Sequence, residues 1–267
     1  MGAGAAAGAA SNQTTTGNVA RPEVAEVGVM SKTIRRAAEL ACGALVEKPW
    51  RCKGLARSTT LRASDRLPLV PRAVTPQKVQ LQTRNDGAFR FAVVADTHSK
   101  PHPATKQRLT ELAPDAILHG GDIGDLTVLE ELGQVAPVWA VRGNIDAQVR
   151  DVPEALVVEL MRGRVMKLRL LLTHIAVYGA KLRAEVARLA QAERASLVVC
   201  GHSHVPFIGR DRGFTLFNPG SIGPRRFQLP IVMGRIDISS SSARLAHIDC
   251  ETGKPWLPPA VLSAPSP

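Results

Sequence analysis

Five short polar clusters, each set directly after an apolar run, constrain this chain more than any other feature. They read Asp96-Thr97-His98, Gly120-Gly121-Asp122, Gly143-Asn144-Ile145-Asp146, Thr173-His174 and Gly201-His202-Ser203-His204. The runs before them, Phe91–Ala95, Ala116–Leu118, Val138–Val141, Leu168–Thr173 and Leu197–Cys200, have the length and composition of strands. Helical patterns at Ala104–Ala113, Leu126–Gly133 and Lys181–Glu193 fall between several of them. Alternating strands and helices predict an α/β domain with a largely parallel sheet, whose ligands collect at the carboxyl ends of the strands. Another strand is expected at Phe214–Phe217, followed by a second, antiparallel portion at Ile231–Ile238 and Ala243–Ile248.

Each cluster alone has an ordinary reading. An Asp caps a turn, Gly-Asp and Gly-Asn-x-Asp are turn chemistry, and a lone His sits satisfied at a core edge. The ordinary reading does not survive five clusters in a row, three of which contribute His98, His174, His202 and His204. Together the side chains make a set of hard and borderline donors without a thiolate, which suits Mn, Fe, Zn, Ni or Mg.

The order Asp-x-His, Gly-Asp, Gly-Asn, His, Gly-His-x-His resembles the calcineurin-like metallophosphoesterases. Within that superfamily, Gly143-Asn144-Ile145-Asp146 and the later segment Asn218–Phe227 are similar to the YfcE-type phosphodiesterases. The likeness runs from about Phe89 to Ile248. It implies a four-layer αββα sandwich, two mixed sheets face to face with helices outside. It also implies two divalent metal ions, Mn foremost. One ion is expected on Asp96, His98, Asp122 and His204, and the other on Asp122, Asn144, His174 and His202, with Asp122 shared. Asp96, Asp122, Asn144 and His174 are the catalytic set, and the reaction implied is hydrolysis of a phosphate ester, a diester foremost, by a hydroxide between the ions.

Two departures from the wider superfamily bear on mechanism. Ile145 stands where many members carry a His that protonates the leaving group, which leaves Asp146 as a candidate acid or a loop stabiliser. Ile175-Ala176 follow His174 where relatives often have Gly-His. Arg225 and Arg226 are expected either to bind phosphate oxygens or to be surface charges beside a loop. Asn218 and Ser221 are expected to shape that loop. The competing function is a protein-binding scaffold on the same fold, and the filled ligand positions argue against it. A protein phosphatase is disfavoured because the Gly-Asn-His-Glu pattern is missing.

Charge locates the remaining question. The chain of 267 residues carries +11, and residues 1–88 hold 13 Lys and Arg against 6 Asp and Glu, leaving +4 for residues 89–267. No basic–aromatic pattern accompanies this excess, so nucleic acid is not an expected partner. No apolar run reaches the length of a membrane span. Residues 1–88 read as an extension: a Gly-, Ala- and Thr-rich start, a short helix over Ser31–Lys48, then irregular chain to about Asn85. A transit peptide, a solvated arm and a start codon set too far upstream of Met30 all fit it. The domain is expected over residues 89–250, with a tail at 251–267. Cys42, Cys52, Cys200 and Cys250 lack zinc or disulfide spacing, which points to a reducing compartment, the cytoplasm foremost and an organelle as the alternative.

Overall fold

The computed structural model describes residues 74–179, 181–239 and 242–258. Fourteen strands and three helices alternate along them. The strands are β1 (Gln77–Gln82), β2 (Phe89–Val94), β3 (Ala116–His119), β4 (Val138–Ala140), β5 (Ala155–Arg162), β6 (Val165–Thr173), β7 (Val177–Tyr178), β8 (Lys181–Leu182), β9 (Leu197–Val199), β10 (Phe207–Asp211), β11 (Phe214–Asn218), β12 (Val232–Ile238), β13 (Ala243–Asp249) and β14 (Pro255–Trp256). The helices are α1 (Thr105–Leu112), α2 (Thr127–Gly133) and α3 (Ala184–Ala192).

Two six-stranded mixed sheets carry the fold, in the orders β1-β5-β6-β9-β11-β10 and β14-β13-β12-β2-β3-β4. The small hairpin β7-β8 stands apart from both. Alternating side chains explain the layering, because successive residues of a strand face opposite ways. Phe91 and Val93 of β2 meet Leu170 and Leu172 of β6 and Phe217 of β11 between the sheets. Ala92 and Val94 face the other way, onto Leu109 and Leu112 of α1 and Val128 and Leu132 of α2. On the far face of the other sheet, Val157, Leu171 and Val198 pack on Val186, Ala187 and Ala190 of α3. The result is the expected αββα sandwich.

Three sequence expectations need correction. The chain is not irregular up to Asn85, because β1 pairs in parallel with β5 from Gln77↔Leu156 to Gln82↔Met161. Sheet structure therefore begins upstream of the boundary drawn at residue 89, and β14, which pairs with β13, lies beyond the one drawn at 250. β12 and β13 form no separate antiparallel portion, since β12 pairs with β2 from Ile238↔Phe89 to Gly234↔Val93. β5 was not anticipated as a strand, and its pairing with β6 is the longest among the described residues. The expected helix at Ser31–Lys48, Met30, Cys42 and Cys52 lie outside the described residues. Cys200 and Cys250 are free and buried. Among the described residues no helix is long and apolar enough to cross a membrane.

Val79 and Leu81 of β1 are partly buried against the inter-sheet core. A chain starting at Asp86 should therefore unfold about 2 kcal/mol more easily than one starting at Val74. Urea titration of both truncated chains checks this.

Candidate metal centre

Both sheets aim carboxyl ends at one place. β2, β3 and β4 run parallel, and so do β6 and β9, so their following residues gather at common edges. The first group delivers Asp96, His98, Asp122 and Asn144. The second delivers His174, His202 and His204. Asp96, His98, Asp122, His202 and His204 all adopt positive φ, between 46° and 70°. Non-Gly residues held there carry backbone strain, which the surrounding contacts must override.

Those contacts are specific. The Asp96 carboxylate accepts the His202 backbone N–H at 3.1 and 3.0 Å, tying the two edges together. Ser221 donates its hydroxyl to the Asp96 carbonyl at 3.0 Å, and the Asn218 amide donates to the Gly201 carbonyl at 2.7 Å. Asp146 is buried and accepts from the backbone N–H groups of Ile123, Gly124 and Gly143 at 3.0, 2.9 and 2.8 Å. It staples two of the loops together.

The side chains converge closely. Asp122 divides its oxygens, Oδ1 lying 3.2 Å from His174 Nε2 and Oδ2 lying 3.6 Å from His98 Nε2. His204 Nε2 lies 3.5 Å from Asp96 Oδ1 and 3.4 Å from His98 Nε2. Ligand atoms of Asp96, His98 and His204 form one compact group, and those of Asp96, Asp122 and His174 form another. The His202 ring stands edge-on to His174 with centroids 5.2 Å apart. Asn144 and His174 line a cleft of about 880 Å³ that also meets Arg142, Arg183 and Leu189.

Protonation behaviour reflects crowded, buried charge. Burial pushes the Asp96 carboxyl up to about 7, with the neighbouring Asp122 adding and His174 opposing. Burial acts the same way on Asp122, but the close His174, the Ile145 N–H and His98 outweigh it and hold that carboxyl well below the usual range. Burial lowers His98, helped by Arg226, and lowers His202, helped by His174. It takes His204 to about 3, again with Arg226 and His98 adding. Burial also disfavours charged His174, yet Asp122, Asp96 and the Gly120 carbonyl more than offset it and raise that imidazole.

This donor set fits divalent cations. Two carboxylates share a buried space with imidazole nitrogens turned toward one another. His174 Nδ1–H donates to the Gly120 carbonyl at 2.7 Å, which leaves Nε2 as the lone-pair nitrogen. That Nε2 is buried without a hydrogen-bond partner of good geometry among the described residues. A coordinated ion is the ordinary partner for such an atom.

Sequence reading missed His119, which is fully buried behind the site. Its Nε2 pairs with Thr97 Oγ1 at 3.0 Å, and its Nδ1 accepts the Gly121 N–H at 3.1 Å. The available signal was its place in His119-Gly120-Gly121-Asp122, at the end of an apolar run. The structure also separates the two arginines. Arg225 is engaged elsewhere, with Glu251 at 2.5 Å and the Leu229 carbonyl at 2.9 Å. Arg226 Nη2 lies 3.0 Å from His98 Nε2, over the centre.

Comparison with known proteins agrees with this architecture. Residues 89–241 match the Calcineurin-like phosphoesterase superfamily domain. A probable metallophosphoesterase of Methanothermobacter thermautotrophicus is 32% identical over 173 residues, spanning 62% of this chain and 94% of the relative. Vacuolar Protein Sorting 29 from Cryptosporidium parvum shares the fold, with a TM-score of 0.52 at 16% identity over 64% of this chain and 95% of that one. Yfce, a phosphoesterase from E. coli, is 21% identical over 62% of this chain and 96% of its own, with a TM-score of 0.43.

Close backbone approach at Gly143 gives a test of the geometry. A Cβ there would lie 2.2 Å from both the Asp122 nitrogen and Oδ1, whereas one at Gly133 would meet nothing within 4 Å. Gly143→Ala should therefore cost about 2 kcal/mol or more in stability. Gly133→Ala, in a helix, should be neutral or gain up to about 1 kcal/mol. Thermal unfolding of both variants measures the contrast.

Proposed function

The chain belongs to the calcineurin-like phosphoesterase superfamily, and from that premise we propose that it hydrolyses phosphodiesters with two divalent cations held between the sheet edges. The observation that carries this reading is the divided carboxylate of Asp122, one oxygen toward His174 and the other toward His98. In this reading Asp96, His98, Asp122 and His204 hold one cation, and Asp122, Asn144, His174 and His202 hold the other. Mn suits the donors, as do Fe, Ni, Zn and Mg. When bound, such a pair supplies charge neutralisation on the phosphoryl oxygens and a lowered pKa for water.

The chain's own groups do the rest. The Gly120 carbonyl engages His174 Nδ1, which turns Nε2 toward Asp122, where a bound cation would take the place of its proton. Neutral Asn144 makes its group less anionic than the other, so that side binds its ion more weakly. Arg226, poised beside His98, is placed to meet a phosphoryl oxygen, and Arg225, held by Glu251, is not. Among the described residues, proton delivery to the leaving oxygen has no evident donor. Ile145 transfers no proton, and Asp146 has its oxygens turned to three backbone N–H groups.

Two outcomes check the proposal. Asp122→Asn should lose both ions on metal analysis, because it removes the negative charge that the two groups share. Two ions bound as in wild type would overturn the assignment. Separately, turnover of bis-p-nitrophenyl phosphate with Mn should be readily measured, and metal binding without turnover would favour the scaffold reading instead.

The missing donor makes a kinetic prediction. A general acid contributes roughly 10²–10⁴ in rate, so alkyl esters should lag far behind activated aryl ones. Log kcat/KM for a series of aryl diesters should fall steeply as leaving-group pKa rises. A flat dependence would mean that another group supplies the proton.

A further inference from the structure

Phe227 occupies a position that local chemistry would give to glycine. It is the first central residue of a tight turn closed by the Leu229 N–H to the Arg226 carbonyl at 3.1 Å, and its φ is +53°. For a bulky aromatic residue that backbone conformation is an outlier, favoured by Gly at this turn position. The ring gains no burial in return, since Phe227 is 81% exposed, the most exposed large apolar residue of the described chain. The turn is nevertheless firmly braced. Arg225 ties it to Glu251 and to the Leu229 carbonyl, and Ser221 bridges to Ile231 just outside it.

Phe227 directly follows Arg226 in the chain. Arg226 reaches His98 Nε2 at 3.0 Å, and the Phe227 Cα is about 3.8 Å from the Arg226 Cα. An exposed apolar residue borders that centre directly. Ile145 is 50% exposed while its backbone N–H donates to Asp122 Oδ1 at 3.2 Å. Ile145 thus borders the charged centre on one loop, and Phe227, exposed in a strained turn, neighbours the arginine that reaches the centre from another.

Resting on the phosphodiesterase reading above, we propose that Phe227 is a stacking platform for a planar ester arm of the substrate, an aryl ring or a nucleobase. Arg226 then meets the phosphoryl group while the neighbouring ring meets the arm. Every aromatic or base face can stack on such a ring, so the platform selects planar arms without reading their edges. Strain held at an exposed aromatic next in the chain to Arg226 is explained by use, because neither core packing nor turn geometry calls for it.

The test separates this platform from the activity on which it rests. The same leaving group is kept in two diesters, p-nitrophenyl phenyl phosphate and p-nitrophenyl methyl phosphate. Wild type should favour the phenyl arm in kcat/KM by roughly fivefold or more, mainly through KM. Phe227→Ala should bring that ratio near one, and Phe227→Trp should keep it. Binding of phenylphosphonate and methylphosphonate to the Mn-loaded protein, measured by calorimetry, reads the same preference without turnover. Phe227→Gly, which relieves the positive φ, should lose the preference with no fall in thermal midpoint. If neither diester is hydrolysed, the phosphodiesterase reading fails, and the phosphonate ratio still decides the platform. A wild-type binding ratio near one, or a ratio unchanged in Phe227→Ala, overturns it.

Discussion

Asp96 and Asp122 are two carboxylates sunk where the edges of two sheets meet. Burying like charges so near each other is unfavourable unless something of opposite sign joins them. Burial and Asp122 push the Asp96 carboxyl up to about 7, while the close His174 keeps Asp122 ionised. The fold does not relieve this tension by distance. It tightens it, through the His202 N–H on Asp96, the Ser221 hydroxyl on the Asp96 carbonyl and the Asp146 staple between neighbouring loops. A site built to keep anions together in low dielectric is built for cations.

That demand explains several local features. Five of the converging residues accept positive φ, a conformation each would avoid in an unconstrained loop. Gly143 must lack a side chain because Asp122 lies against it, and Gly223 must because the Asp96 carbonyl does. His119 contributes no group to the centre, yet it is buried to hold Thr97 and Gly121 in place. The strands that aim the centre are correspondingly rigid: Phe91, Val93, Leu170, Leu172 and Phe217 lie in one packed layer between the sheets.

Much of this was legible in the sequence because the chemistry is local. Each polar cluster directly follows its own apolar run, so strand and donor were read together at β2, β3, β4, β6 and β9. The αββα layering came from family likeness and not from periodicity, which alone pointed to one parallel sheet plus an antiparallel portion. What stayed hidden depends on distant partners. Gln77–Gln82 offers only Val79 and Leu81 among polar residues, and it is a strand because β5 lies beside it. β5 has no polar cluster after it to draw attention, though its buried run is among the most apolar in the chain. Arg225 and Arg226 are adjacent and chemically identical. Only the position of Glu251, far along the chain, decides which of them is left to face the centre.

Ile145 and Phe227 are exposed apolar residues on loops that also carry groups of the charged centre, Ile145 through its N–H on Asp122 and Phe227 as the neighbour of Arg226. Neither is explained by stability. Ile145 is half exposed, and Phe227 sits in a turn that glycine would satisfy at less strain. The buried donors are fixed by the need to balance charge, which leaves little freedom to vary them. The rim has no such obligation, because its side chains touch solvent and bear on neither packing nor charge balance. Discrimination among substrates is therefore most readily carried there, on loops held by a rigid scaffold. The two residues point in compatible directions. On the proposed phosphodiesterase reading, the absence of a proton donor at 145 turns the chemistry toward leaving groups that bear negative charge unaided, which are commonly aromatic. The proposed platform at 227 would favour arms of the same planar kind, so that on this reading reactivity and recognition select the same class of ester.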